Sequence, residues 1–67
     1  MNRDQVIRRL KKLAKKTGTP LQVETNKGKG SHYRVTYGAK TSTLQHDLNP
    51  GRIERFLKQL DIDPAAF

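Results

Sequence analysis

The chain has no cysteine, few acidic residues and no long apolar run. Without cysteine no disulfide can form, and two histidines alone make a poor ligand set for zinc. No stretch approaches the roughly 20 apolar residues that a membrane span needs, and no signal-peptide core follows Met1. We therefore expect a cytoplasmic protein with no metal, no other cofactor and no membrane association.

Length and composition limit the size of the fold. The 67 residues, 33% of them hydrophobic, support one small domain that covers residues 1–67. Ordering such a chain costs on the order of 100 kcal/mol, at about 1.5 kcal/mol per residue. We expect modest stability, to which a partner or a second copy would add.

The basic residues are unevenly placed. Fourteen Lys and Arg stand against six Asp and Glu, for a net charge of +8. Residues 3–40 hold eleven basic and two acidic side chains, whereas residues 41–67 hold three basic and four acidic ones. Charge kept only for solubility would not require this asymmetry. It favours a polyanionic partner, of which nucleic acid is the commonest.

The first predicted helix, over residues 3–16, has an apolar side and a basic side. Apolar residues recur at helical spacing: Val6, Ile7, Leu10, Leu13 and Ala14. Basic residues occupy the opposite side: Arg8, Lys11, Lys12 and Lys15, flanked by Arg9 and Lys16. Asn2 or Asp4 can cap the start of this helix. Gly18, followed by Pro20, ends it.

Like charges crowd the basic side of this helix. Six pairs lie three or four residues apart and together cost about 1–2 kcal/mol at low salt. Phosphates or an acidic protein would relieve that repulsion. A merely solvated face is the simpler alternative.

Three strands and a second helix follow. Alternating apolar and polar residues predict strands over residues 21–25 and 32–37 and, after a turn at Gly38-Ala39-Lys40, over residues 41–46. Asn49 caps the second helix and Pro50 occupies its first position. Its apolar stripe consists of Ile53, Phe56, Leu57 and Leu60. Asp63-Pro64 ends the ordered chain and leaves a short tail.

The predicted fold is therefore α+β, in the order α-β-β-β-α. A three-stranded antiparallel sheet with both helices on one face buries both apolar stripes. The other face of the sheet is open to solvent or a ligand. Alternation along the second strand places His32 and Arg34 on this open face, with Tyr33, Val35 and Tyr37 turned toward the helices.

His32 is the residue most suited to catalysis. It follows the run Lys27-Gly28-Lys29-Gly30-Ser31, a glycine-rich loop that carries two lysines. Cleavage of RNA without a metal needs a base, an acid and cations that stabilise the phosphorane. His32 can serve as the base or the acid, and Lys29 or Arg34 can supply charge. A lone histidine is more often an ordinary surface residue, but its neighbours favour a role here.

His46 and the loop leave alternatives open. His46 shares the parity of Leu44, which predicts a structural histidine on the helix-facing side or at the strand end. It becomes a second acid/base group only if the chain curves toward the open face. The loop over residues 27–31 lacks the Lys-Ser/Thr pair that ends a P-loop motif. Two interpretations stay open: a hairpin loop without a binding role, or a loop whose lysines contact phosphate.

The sequence resembles the HicA toxins, small endoribonucleases of type II toxin–antitoxin systems. The likeness lies in Lys29-Gly30-Ser31-His32 at the opening of the second strand and in His46 near the end of the third. It continues in the closing helix, residues 49–60. The resemblance implies a fold like that of double-stranded-RNA-binding domains, metal-independent cleavage of mRNA with His32 as the catalytic residue, and neutralisation by a HicB antitoxin.

A non-catalytic RNA-binding module is the main alternative. Such a module would use the first helix and the Lys27–Lys29 loop as a phosphate clamp. The full set of predicted RNA-binding residues is Lys11, Lys12, Lys15, Lys27, Lys29, Gly30, Ser31 and Arg34. A binder does not need His32, whereas a nuclease does. A DNA-binding domain is a weaker hypothesis, because no helix-turn-helix spacing is visible.

Overall fold

The computed structural model describes residues 1–25 and 32–67. Its elements are helix α1 (Arg3–Thr17), strands β1 (Leu21–Thr25), β2 (Tyr33–Tyr37) and β3 (Lys40–Leu44), helix α2 (Pro50–Gln59) and a short 3₁₀ helix (Pro64–Ala66). The predicted α-β-β-β-α order is confirmed. Neither of the α-helices in the described part of the chain is long and apolar enough to cross a membrane.

Both helices begin at the residues that their capping signals predict. The Asn2 side chain accepts the Gln5 N–H and the Gln5 side chain accepts the Asn2 N–H, which forms a capping box. Asn49 Oδ1 accepts the Arg52 N–H at 2.9 Å at the start of α2. Gly18 ends α1 in the left-handed conformation, with φ of +69°, which suits a residue without Cβ.

The strands form an antiparallel sheet in the order β1-β2-β3. A two-residue turn at Gly38-Ala39 joins β2 to β3, and Gly38 has a φ of +60°. Glycine at the first central position is typical of the type II′ turn, which matches the twist of a hairpin. In this strand order β2 is the middle strand, so residues of β1 and β3 flank its side chains on both sides.

The core lies between one face of the sheet and both helices. It contains Val6 and Leu10 from α1, Val35 and Leu44 from the sheet, and Phe56, Leu57, Leu60 and Ile62 from α2 and the turn after it. Ser42 is the buried polar residue of this face, and its hydroxyl donates to Gln59 Oε1. This satisfied hydrogen bond removes the desolvation cost of the hydroxyl. Both helices therefore pack on one face, as predicted.

Several predicted boundaries are wrong. Helix α1 extends to Thr17, β2 begins at Tyr33 rather than at His32, and Lys40, predicted to lie in the turn, is the first residue of β3. Strand β3 ends at Leu44 rather than at His46, because Leu44 lies opposite Tyr33, the first residue of β2. The end of the chain is ordered beyond Asp63-Pro64. Asp63 caps the 3₁₀ helix, and half-buried Phe67 packs against the core. The contacts of Phe67 with the core hold residues 64–67 in place, whereas the sequence predicts a short tail there.

Candidate functional site on the open face of the sheet

His32 is exposed and directly precedes β2, where its neighbour Tyr33 is anchored. Tyr33 is half-buried against the core, and the Arg3 guanidinium lies 3.7 Å from the centroid of its ring. Such a stacked cation adds to the packing of the ring. Successive residues of a strand point to opposite faces, so anchoring Tyr33 on the helix side directs His32 to the open face.

A shallow depression of about 430 Å³ surrounds His32. It is lined by Glu24, Thr25, His32, Tyr33, Arg34 and Thr43, which come from all three strands. The register places Glu24 opposite Arg34 and Arg34 opposite Thr43, in one row across the sheet. His32 and Arg34 thus share one site, as their alternation predicts.

The charged groups of this depression are the Glu24 carboxylate and the Arg34 guanidinium, which belong to register partners on β1 and β2. Arg34 presents a planar fork of donors that matches two phosphate oxygens. Elsewhere, Glu54 and Lys58 form an ion pair at 3.1 Å. Within residues 1–25 and 32–67, neither Glu24 nor Arg34 is committed to an ion pair. Neither side chain would therefore have to break an ion pair with a described residue in order to contact a bound phosphate.

Sequence reasoning missed Glu24 as a member of the site. The alternation of β1 already separates Gln22 and Glu24 from the apolar Leu21 and Val23. This pattern predicts that Glu24 lies on the open face, but it does not predict which residues of the other strands lie beside it. Its position opposite Arg34 depends on the register between two strands, which alternation within one strand does not set.

The other predicted site residues fall into two groups. Lys27, Lys29, Gly30 and Ser31 lie outside the residues that the structure describes. His46 is described: it is exposed, beyond the end of β3, and does not belong to the residues that line the depression. The chain therefore does not curve so as to bring His46 into the described part of this site.

The basic side of α1 lies on the other layer of the molecule. Lys11, Lys12 and Lys15 are exposed on a helix that covers one face of the sheet. The depression opens on the opposite face. The structure therefore does not bring these lysines together with His32 and Arg34 into one surface. Tyr33 and Tyr37 are half-buried against the core, as predicted.

A larger cleft, of about 750 Å³, lies between β3 and α2. Its charged lining residues are Arg52 and Arg55, and no histidine or carboxylate is among the described residues that line it. Arg52 is held in place, since Nη1 donates to the Gln45 side chain at 3.2 Å and to the Asp47 carbonyl at 2.8 Å. Of the two sites, the depression at His32 is the one that offers acid–base chemistry.

Comparison with known proteins adds no relative. No protein-family model matches the chain, and no curated protein or solved structure is significantly similar to it. In the described ranges no group of three histidine, cysteine or carboxylate side chains could hold a metal ion. Function is therefore inferred from the chemistry of the open-face site.

Proposed function

We propose that the protein is an endoribonuclease, with His32 as an acid/base catalyst and Arg34 as a phosphate ligand. The observation that carries this proposal is the exposed depression in which an imidazole and a guanidinium lie on the same face. Its volume, about 430 Å³, is within the range of small-molecule sites and admits a nucleotide segment.

The chemistry is transfer of the RNA phosphodiester to its own 2′-oxygen. A base removes the proton of the 2′-hydroxyl and an acid protonates the departing oxygen. Fixed cations stabilise the charge that accumulates on the phosphorane. His32 supplies one proton-transfer group. Arg34 supplies positive charge.

The cellular role that fits this chemistry is that of a HicA-like toxin. Such a protein cleaves mRNA in the cytoplasm and is held inactive by a HicB-like antitoxin. The sequence resemblance supports this role, and the α-β-β-β-α order is compatible with it. The net charge of +8 favours association with RNA.

The test is cleavage of end-labelled single-stranded RNA by purified protein. The His32→Ala variant should lose about 10²–10⁴-fold in rate, which is the usual contribution of general acid–base catalysis. Because His32 is exposed, the variant should keep its fold, as judged by circular dichroism, and most of its RNA affinity. Cleavage should persist in EDTA, since protein side chains perform the proton transfers.

His46→Ala is the matched control, because His46 is also an exposed histidine but lies outside the depression. It should cleave at close to the wild-type rate. A folded His32→Ala variant that keeps more than about a tenth of the wild-type rate would contradict the catalytic assignment. So would loss of activity in EDTA that a divalent ion restores.

A non-catalytic RNA-binding module is the second candidate, and the exposed basic side of α1 favours it. Those lysines contact phosphates without any need for a histidine. In that case the protein would bind RNA with a strong salt dependence but leave it intact, and His32→Ala would change neither property.

A further inference from the structure

Cleavage by acid–base chemistry needs a second proton-transfer group beside His32. The described residues that line the depression offer few candidates. The Arg34 guanidinium does not lose its proton, and the hydroxyls of Thr25 and Thr43 are weak acids and weak bases. The Tyr33 ring is packed against the core and the Arg3 guanidinium on the helix side. Glu24 carries the one carboxylate of that lining, and Glu is among the residues that act as general bases in enzymes.

The register places the Glu24 carboxylate beside the Arg34 guanidinium, the group that would bind the phosphate. Glu24 lies directly opposite Arg34, and His32, two residues before Arg34, lines the same depression. Diagonal neighbours in an antiparallel pair are separated by about 7–8 Å, within reach of long side chains. A phosphate bound to Arg34 therefore has a carboxylate and an imidazole beside it. The attacking and leaving oxygens of an in-line displacement likewise need partners on two sides of phosphorus.

We propose that Glu24 is the general base and His32 the general acid of the RNA cleavage, an assignment that rests on the proposed function. The Glu24 carboxylate takes the proton of the 2′-hydroxyl as the 2′-oxygen bonds to phosphorus. The bond from phosphorus to the 5′-oxygen breaks, and the His32 imidazolium donates its proton to that oxygen. The products are a 2′,3′-cyclic phosphate and a 5′-hydroxyl. No further reactant is consumed.

A purely structural role for Glu24 makes a different prediction. An opposite-charge pair across two strands contributes about 0.2–1 kcal/mol to stability. Loss of such a pair would lower the midpoint of thermal unfolding and leave the pH dependence of cleavage unchanged. The charged and titratable groups of the depression are Glu24 on β1, Tyr33 and Arg34 on β2 and His32 before it, while β3 contributes Thr43. The pH dependence therefore separates the two roles.

The decisive experiment is the pH profile of single-turnover cleavage for the wild type, Glu24→Gln and His32→Ala. The wild type should give a bell-shaped profile. Glu24→Gln should lower the rate by about 10²–10⁴-fold and remove the limb on the acidic side, which reports the base. His32→Ala should remove the limb on the alkaline side. A substrate with 2′-deoxyribose at the cleaved position should remain intact.

Two control variants separate position from charge. Glu54→Gln removes an exposed carboxylate of α2, whose partner is Lys58, and should cleave at the wild-type rate. The double variant Glu24→Gln/Gln22→Glu keeps the net charge but moves the carboxylate about 7 Å along the open face of β1. It should stay as slow as Glu24→Gln, whereas Glu24→Asp should recover part of the rate.

The outcomes distinguish this assignment from the proposed function. Wild-type protein that does not cleave RNA would overturn both. If the wild type cleaves and His32→Ala does not, the proposed function stands, and Glu24→Gln then decides the role of Glu24. A Glu24→Gln profile that keeps its acidic limb would overturn that role. Recovery of the rate by the double variant would overturn it too, since charge alone would then suffice.

Discussion

Asp61 holds a left-handed backbone, with φ of +60°, directly after α2. Its N–H donates to the Lys58 carbonyl at 3.0 Å, and the Ile62 N–H donates to the Leu57 carbonyl at 2.8 Å. This pair of hydrogen bonds is the Schellman motif, in which glycine is usual because a Cβ is crowded there. The motif turns the chain so that Ile62 is buried in the core.

Asp61→Gly should therefore raise the free energy of unfolding by about 0.5–1 kcal/mol. The strain of a left-handed residue with a Cβ is about 1–2 kcal/mol, and the added flexibility of glycine in the unfolded chain offsets part of it. Urea denaturation measures the change. Asp61→Ala is the control, because it removes the carboxylate but keeps the Cβ and should give no gain. An equal gain in the two variants would show that the charge and not the backbone strain matters, and no gain in either would exclude both.

At the scale of elements, the basic side chains of α1 repel one another and also form a surface suited to binding phosphate. Its six basic residues on the outer side are all exposed: Arg8, Arg9, Lys11, Lys12, Lys15 and Lys16. Every like-charge pair at a spacing of three or four includes Lys11, Lys12 or Lys15. Removing these three charges thus relieves all of that repulsion and weakens the attraction of this surface for phosphate.

Replacing Lys11, Lys12 and Lys15 with Gln should make the protein more stable and a weaker RNA ligand. At low salt the free energy of unfolding should be about 1–2 kcal/mol higher than in the wild type. RNA affinity should fall across sequences, and the slope of log affinity against log salt should flatten by about 0.7 for each phosphate that the variant no longer neutralises. Fluorescence anisotropy at several salt concentrations measures the slope.

The control for this variant removes three positive charges elsewhere, at Lys40, Arg55 and Lys58. It has the same net charge, so long-range attraction to RNA falls equally. An equal salt slope in both variants would indicate that α1 makes no specific phosphate contact. An unchanged slope in the α1 variant would indicate a solvated face or one reserved for a protein.

The elements were predictable from the sequence where local interactions define them. Capping by Asn2 and Asn49 and the spacing of apolar residues set both helices, and strand alternation set the open face. The ordered end of the chain was not predictable, because Phe67 is held by contacts with the core. Glu24 was missed as a site residue for a similar reason: the register that joins β1 to β2 depends on the whole sheet.

At the scale of the molecule, the sheet separates two features that an RNA substrate would use. The basic side of α1 lies on the helix layer, and the His32 depression opens on the other face. An RNA strand that contacts both must pass around an edge of the molecule, whose smallest extent is 18 Å. If the proposed function is right, phosphate contacts on α1 and cleavage at His32 would therefore lie on different surfaces, and each could be blocked separately.

This separation predicts how an antitoxin acts if the protein is a toxin. Expression of the wild type alone should arrest growth, whereas His32→Ala should be tolerated, since the histidine is needed to cut and not to fold. Co-expression with a cognate antitoxin should relieve the arrest. Wild-type protein that is harmless when expressed alone at a high level would contradict the toxin role and favour the RNA-binding module.

The simplest inhibition places acidic or bulky groups of the antitoxin over His32 and Arg34, where charge complementarity also speeds association. Such a complex covers the open face and leaves the basic side of α1 exposed. The purified complex should therefore lose ribonuclease activity but still bind RNA, with a salt dependence that Lys11, Lys12 and Lys15 carry. Activity and anisotropy measured on the same complex check this. A complex that neither cuts nor binds RNA would place the antitoxin on α1 as well, and one that still cuts would exclude inhibition by masking the open face.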